Sequence, residues 1–389
     1  MKKLTLARRL LVAAGLVAAV ALCGTASADD TIKFGFFSPQ TGFAGADGVS
    51  ALHGAQIAVN FINDSGGLLG KKVELVNYDD ASKPDQAANV AQKLTQSDKV
   101  PVAVSGSYSF LTRPAAAIFQ RAKTPLMTAY AVHPQITATG KYIFATSLPA
   151  AEEGAAAAWT VAKVMKKKKV ALVTMDNDAG TSLAAAFKKE AKKLGLDILT
   201  EEKYSLDDKD LRPILTRIKG MNPDVIYANG YYDNAALLVN QRQELGMTTP
   251  VIGMEGFDSP KFIELSKPGA AEGTMLTTAL DRDSKNPLVQ KFLSEFQKQY
   301  NIAPDMVGAS SFDAVTILAE AIKRAKSTKA DAVVKALHGI KKFDGVVTGP
   351  FYGFTKDGQV IKPSVVQIVK DGAFHHFAVI DDPAIRNLH

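Results

Sequence analysis

Short apolar runs alternate with longer segments of helical periodicity along most of the chain. The runs at residues 32–37 and 170–175 predict strands that are buried on both faces, as in a parallel sheet covered by helices. A helix is predicted from about Val49 to Asp64, and its apolar face carries Ala51, Ala55, Ala58, Val59 and Ile62. The repeated order of strand and helix predicts an α/β fold.

The cycle of strand and helix runs twice, first to about residue 148 and then from a helix near Ala151. Further strands are predicted at 73–78, 100–104, 125–128, 144–148, 198–204, 225–228, 250–253 and 274–279. Further helices are predicted at 84–96, from about 110, and at 179–194, 210–219, 234–245, 287–300 and 308–325, before a β-rich tail at 346–380. No Pro-, Gly- or Ser-rich linker separates the two series, so we predict two lobes joined by crossing strands. A ligand is then expected where strand ends and helix N-termini of both lobes face one another.

The first 28 residues predict a cleaved signal peptide and therefore a secreted protein. Basic residues lie within positions 2–9, an apolar run follows at 10–22, and Ala26-Ser27-Ala28 supplies a small-residue cleavage site, so the mature chain should begin at Asp29. A permanent anchor is the alternative, but a membrane span needs about 20 apolar residues. The single cysteine, Cys23, follows a leucine instead of the small residue that precedes a lipidated cysteine. We therefore place it in the removed segment, which leaves the mature chain without a thiol.

Charge and motifs give no indication of nucleic-acid binding or catalysis. Four of the cations behind the net charge of +7 belong to the predicted signal peptide, and the basic run at 166–169 is interpreted as a solvated helix end. Segment 66–72 resembles a phosphate-binding loop, but it is one residue short and lacks the hydroxyl that holds magnesium. The adjacent His375 and His376 would point to opposite faces of a strand and cannot easily share a metal. We therefore predict no catalytic residues, no cofactor and no metal site, and a protein that is not an enzyme.

Eight short motifs, read in order, resemble the leucine/isoleucine/valine-binding protein family of ABC importers. The resemblance extends from about Ile32 to Ile380. The motifs are Ser38-Pro39-Gln40-Thr41-Gly42; Gly54-Ala55-Gln56 with Asn60, Asn63, Gly66 and Gly67; Gly70-Lys71-Lys72-Val73; Tyr78-Asp79-Asp80-Ala81; Thr137-Ala138-Thr139-Gly140; Gly230-Tyr231-Tyr232; Glu255-Gly256; and Thr348-Gly349-Pro350.

This resemblance implies a type I periplasmic-binding-protein fold, with two Rossmann-like lobes joined by three crossover strands. We expect the N-terminal lobe to comprise residues 29–148 and 278–346, and the C-terminal lobe residues 149–277 and 347–389. It further implies a periplasmic monomer that closes around a small ligand and delivers it to a membrane permease and ATPase, with no nucleic-acid partner. A sensor that presents its ligand to a receptor would have the same sequence features.

The resemblance also assigns a binding site. Ser109 matches a serine that binds the ligand carboxylate, and its position before a predicted helix independently suggests an N-cap, where free N–H groups attract anions. Glu255 matches the acid that pairs with the ligand ammonium, and Tyr231 matches an aromatic wall. The backbone of Tyr130, Ala131 and Val132 is expected to help hold the carboxylate, although the family's threonine is absent there.

Several positions depart from the family in a way that bears on the ligand. Asp47 replaces a tyrosine in the first loop, and we include it among the binding residues. Tyr108, Phe110 and Tyr130 stand where the family often has small side chains, which suggests a pocket that stacks a ring or fits a short ligand. Branched-chain or aromatic amino acids are the first expectation, and an aromatic carboxylate or aryl 2-oxo acid is the alternative.

Overall fold

The computed structural model describes residues 31–388, so the predicted signal peptide, Cys23 and the predicted mature start at Asp29 lie outside the described range. The described residues form two sheets. Their strands are β1 Thr31–Ser38, β2 Lys72–Asp79, β3 Val102–Ser105, β4 Leu126–Thr128, β5 Ile143–Ala145, β6 Lys169–Met175, β7 Asp197–Tyr204, β8 Val225–Ala228, β9 Val251–Gly253, β10 Met275–Thr278, β11 Ser364–Lys370 and β12 Ala373–Ile380.

The first sheet has the order β2-β1-β3-β4-β5 and is parallel throughout. The second has the order β12-β11-β10-β9-β8-β6-β7, in which β11 and β12 are antiparallel to their neighbours and the other pairs are parallel. Every residue of β3, β8 and β10 is buried. Full burial of these strands follows from helices on both faces and explains why most of their residues are apolar.

The helices lie between the strands along the chain, as in doubly wound α/β folds. They are α1 Gly45–Asp64, α2 Pro84–Gln92, α3 Ser109–Ala122, α4 Ala150–Trp159, α5 Asp178–Leu194, α6 Arg212–Met221, α7 Tyr232–Glu244, α8 Pro260–Leu265, α9 Pro287–Tyr300, α10 Met306–Ala325, α11 Ala330–Gly339 and α12 Pro383–Arg386. Single π-helical turns extend α2 and α4. Within residues 31–388, no helix has the length and apolar character needed to cross a membrane.

The chain passes between the two sheets three times. It leaves the first sheet after β5, returns after β10 to place α9 and α10 against α1, and crosses again before β11. The predicted α/β fold with two Rossmann-like lobes joined by three crossings is confirmed. Before β11, residue Gln359 forms an isolated bridge with Ala145 of β5, so the third crossing touches the first sheet on its way.

Several element boundaries differ from the sequence predictions. Helix α1 begins at Gly45, four residues before the predicted start, and α10 begins at Met306 because the Asp305 side chain accepts a hydrogen bond from the N–H of Gly308. The short helices α8 and α11 were not predicted. The prediction of a β-rich tail is wrong in part, because residues 346–363 contribute only isolated bridges and regular strand structure begins at Ser364.

Helices α1 and α10 approach most closely at Gly54. A Cβ atom added to Gly54 would lie 1.8 Å from the carbonyl oxygen of Gly308, which belongs to the backbone and cannot rotate away. We expect Gly54→Ala to force the helices apart and to lower the free energy of unfolding by about 1–3 kcal/mol. Urea unfolding measures this loss.

The matched control is Gly339→Ala. Gly339 is also helical, and nothing lies within 4 Å of the position of its added Cβ. This variant should be neutral or more stable by up to about 1 kcal/mol, because alanine loses less backbone entropy than glycine on folding. Equal stability of the two variants would contradict the close packing of α1 against α10.

Candidate ligand-binding site

Ser109 lies at the start of α3, directly after the loop that follows β3. Its hydroxyl oxygen accepts hydrogen bonds from the backbone N–H groups of Val132, at 3.1 Å, and His133, at 3.3 Å. The predicted N-cap role is wrong, because Tyr108 has the extended backbone of the N-cap position and Ser109 is the first helical residue. The hydroxyl therefore connects α3 to the loop after β4 instead of closing its own helix.

A cluster of aromatic rings spans the cleft between the lobes. Tyr108, from the first lobe, stacks on Tyr231, from the second, with ring centroids 3.9 Å apart and planes 9° from parallel. Tyr130 meets Tyr108 edge-on at 5.9 Å, and Phe43 lies 6.2 Å from Tyr108. The three tyrosines are buried. Because Tyr231 precedes α7, the stack joins a helix start of one lobe to a helix start of the other.

Asp47 lies in the first turn of α1 and is 2% exposed. Its Oδ2 accepts a hydrogen bond from the Tyr108 hydroxyl at 2.6 Å, while Oδ1 has no partner among the described residues. Burial, with a contribution from the nearby Asp305, raises the pKa of Asp47 to about 8. The Tyr130 hydroxyl donates instead to the carbonyl oxygen of Gly106. Asp47 is thus held by the hydroxyl of Tyr108.

Polar contacts also join the lobes. The Tyr232 hydroxyl donates to the carbonyl oxygen of Phe43 at 2.9 Å, and Arg113 of α3 forms an ion pair with Asp178 of α5. Beside these contacts lies a cavity of about 440 Å³, lined by Phe43, Phe110, Asn177, Asp178, Leu206, Asp207, Lys209, Asp233 and Asn234. Phe110, which was predicted to shape the pocket, lines this cavity, but Tyr108, Ser109, Tyr231 and Glu255 are not among its lining residues. The cavity therefore does not coincide with the predicted site.

Glu255 follows β9 and is 3% exposed. Its backbone N–H donates to Oε1 of Glu153 at 2.6 Å, and that oxygen also accepts from the Thr277 hydroxyl at 3.0 Å. Neither carboxylate oxygen of Glu255 has a partner among the described residues. A Cβ on the adjacent Gly256 would lie 3.3 Å from the Tyr231 ring, so the backbone next to Glu255 lies beside the aromatic cluster.

The charged residues around Glu255 were not predicted from the sequence. Glu152 and Glu153 lie in the first turn of α4, and Lys362 lies just before β11; all three are buried. Burial raises the pKa of Glu152 to about 9 and that of Glu153 to about 7, and it lowers the pKa of Lys362. Two adjacent acids at a helix start match the helix dipole in any solvated helix, so no local signal marks these as buried.

The structure brings Ser109, Val132, Tyr108, Tyr130, Asp47 and Tyr231 together, with Glu255 beside Tyr231. The carbonyl oxygen of Ala131 accepts from the Ser147 hydroxyl at 2.7 Å, so the loop after β4 is also tied to the first crossing. A family model described as periplasmic binding protein matches residues 31–373. The chain belongs to this family. The predicted resemblance to leucine/isoleucine/valine-binding proteins is confirmed, and the type I periplasmic-binding-protein fold with it.

Individual relatives resemble the chain over most of its length. The Leu/Ile/Val-binding protein BraC3 of Rhizobium johnstonii is 32% identical, with 88% of this chain and 93% of that protein aligned. A branched-chain amino acid transporter substrate-binding protein of Streptococcus pneumoniae, solved with isoleucine, has a TM-score of 0.83 at 28% identity and covers 90% and 99% of the two chains. A solute-binding protein of Rhodopseudomonas palustris, solved with 3,4-dihydroxybenzoic acid, has a TM-score of 0.83 at 25% identity and covers 92% and 99%.

Proposed function

We propose that this periplasmic binding protein captures a branched-chain or aromatic amino acid in the periplasm and delivers it to the permease and ATPase of an ABC importer. Ser109 and the loop at residues 130–132 hold the ligand carboxylate, and Glu255 accepts hydrogen bonds from its ammonium group. The rings of Tyr108, Tyr130 and Tyr231 contact the side chain, with Asp47 behind Tyr108. Contacts from both lobes favour the closed form when the ligand is bound.

The observation that carries this proposal is the hydrogen bonding of Ser109. Its oxygen already accepts two backbone N–H bonds, so the hydroxyl hydrogen remains to donate to an anion. The first turn of α3 adds N–H groups without intrahelical acceptors and the positive end of the helix dipole. A carboxylate suits this position because it accepts all of these donors.

An aromatic carboxylate without an amine is the second candidate. The parallel stack of Tyr108 on Tyr231 shows that flat rings pack well in this cleft, and an aryl ring forms the same kind of contact. The Rhodopseudomonas palustris relative, solved with 3,4-dihydroxybenzoic acid, supports this candidate.

Thermal unfolding of refolded, ligand-stripped protein tests the proposal. We expect leucine, isoleucine or phenylalanine to stabilise the protein by about 2.7 kcal/mol at a hundredfold excess over the dissociation constant. Leucine amide, which lacks the carboxylate, should give no shift. Stabilisation by benzoate or 3,4-dihydroxybenzoate alone would favour the second candidate, and no shift with any carboxylate would contradict the proposed function.

A further inference from the structure

Buried ionisable residues gather around Glu255, close to where the chain crosses between the lobes. Glu152, Glu153, Glu255 and Lys362 are each at most 3% exposed. They come from the first turn of α4, the end of β9 and the third crossing, and Glu153 contacts the backbone of Glu255 directly. Among the described residues, five of their polar atoms have no hydrogen-bond partner: Glu152 Oε2, Glu153 Oε2, both oxygens of Glu255 and Lys362 Nζ.

These unpartnered atoms indicate a binding position. Buried polar side-chain atoms in folded proteins have partners in the large majority of cases, so a bound group that supplied partners to five such atoms in one neighbourhood would be favoured. Lys362 is not the partner of these carboxylate oxygens, because none of the described residues has a carboxylate oxygen within 4.0 Å of its Nζ. The oxygens of Glu153 and Glu255 accept hydrogen bonds, and the group that satisfies them is therefore a donor.

The charge of this neighbourhood indicates that the donor is a cation. Four carboxyl groups, those of Glu152, Glu153, Glu255 and Asp313, surround the single amine of Lys362. A buried carboxylate without a counter-charge is strongly unfavourable. Protons neutralise such carboxyl groups when no other cation is present. A cation that binds in this site can therefore replace a proton as the group that neutralises a buried carboxylate.

We propose that Glu153 and Glu255 together bind the ammonium group of the ligand and that this ammonium displaces a proton. The O–H bond of one carboxylic acid breaks, its electron pair stays on the carboxylate oxygen, and the proton leaves to solvent. An N–H bond of the ligand ammonium then donates to that oxygen. The inference rests on the proposed capture of a carboxylate ligand, and it adds Glu153 as a residue that determines whether an amine is accepted.

The electrostatic surroundings agree with a protonated site near neutral pH. Burial raises the pKa of Glu153 to about 7, and burial together with the neighbouring Glu153 carboxyl raises the pKa of Glu255 well above its ordinary value. A ligand ammonium favours the ionised form and so lowers these pKa values on binding. The other charged or titratable groups that face this site are Glu152, Tyr227, Asp258, Asp313, Lys362 and Arg386.

Isothermal titration calorimetry in two buffers of different ionisation enthalpy counts the protons released per ligand bound. The probes are two matched pairs, leucine with 4-methylpentanoate and phenylalanine with 3-phenylpropanoate, which differ only in the amine. At about pH 7 we expect the amino acid of the bound pair to release up to about one proton and its amine-free partner to release about none.

Glu153→Gln keeps the shape of the side chain and removes its charge. This variant should release fewer protons with the amino acid and weaken its binding about tenfold relative to the amine-free acid. Glu190→Gln is the control. Glu190 is also a buried glutamate, but it lies in α5 and its Oε2 accepts a hydrogen bond from Lys193 at 2.6 Å, outside this cluster. This control variant should retain both the proton release and the preference for the amino acid over the amine-free acid.

The outcomes separate this inference from the proposed function. If neither member of either pair binds the native protein, the proposed function is wrong. Binding of both members with the same proton release overturns the ammonium site alone. Binding of the amine-free acids alone overturns the ammonium site and also the capture of an amino acid, in favour of a carboxylate ligand without an amine. Proton release that is unchanged in Glu153→Gln overturns the assignment of Glu153.

Discussion

Replacing Asp313 with alanine is expected to lower the free energy of unfolding by about 3–5 kcal/mol. Asp313 lies in α10 and is fully buried. Its Oδ1 accepts from the N–H of Val346 at 2.8 Å, and its Oδ2 accepts from the N–H groups of Val347, at 2.8 Å, and Thr348, at 2.9 Å, and from the Thr348 hydroxyl, at 2.9 Å. Alanine would leave three buried backbone donors without acceptors, at the start of the third crossing.

Chemical denaturation monitored by circular dichroism measures this loss, and two further variants define its origin. Asp313→Asn retains one acceptor oxygen and should lose less stability than the alanine variant. Asp331→Ala is the surface control. Asp331 also accepts two hydrogen bonds, from Lys141 and Tyr142, but its side chain is 75% exposed, so its loss should remain below about 1 kcal/mol. If Asp313→Ala lowered the free energy of unfolding as little as Asp331→Ala, the third crossing would not depend on the Asp313 carboxylate.

The Asp313 contacts show why the sequence predicted the lobes better than their connections. Strands and helices repeat with a period that is visible in the chain, and the helix predicted at about 287–300 matches α9, where Asn286 caps the first turn and Pro287 begins it. Residues 346–348 instead take their conformation from a side chain more than 30 residues earlier. Their apolar character suggested a strand, but a helix carboxylate provides the acceptors.

The binding site likewise contains residues that the sequence predicts and contacts that depend on tertiary packing. Ser109 and Glu255 were predicted as binding residues from their resemblance to the family's binding positions. The hydroxyl of Ser109 was nevertheless assigned to its own helix, since nothing local shows that the loop at residues 132–133 would supply two N–H donors. Glu153 is 102 residues away from the Glu255 N–H from which it accepts a hydrogen bond, and that contact depends on how α4 packs against β10.

Ser109→Ala is expected to weaken binding of the ligand carboxylate about 10- to 100-fold, because a hydrogen bond to a charged group contributes about 1.5–3 kcal/mol. Stability should fall as well, by about 1–3 kcal/mol, since the buried N–H of Val132 loses its acceptor. Calorimetry with leucine and with 4-methylpentanoate measures the affinities. Both probes should be affected equally, because they share the carboxylate.

This equality distinguishes the carboxylate end of the site from the amine end. Glu153→Gln should change the ratio of the dissociation constants for the two probes, whereas Ser109→Ala should leave that ratio unchanged. The ratio is insensitive to a general loss of folded protein. Ser105→Ala provides the control for local packing. Ser105 is buried four residues away and bonds the Thr112 hydroxyl at 2.7 Å within the same lobe, so its loss should lower stability without changing either affinity. If Ser109→Ala binds both probes as tightly as the native protein, the carboxylate is held elsewhere in the cleft.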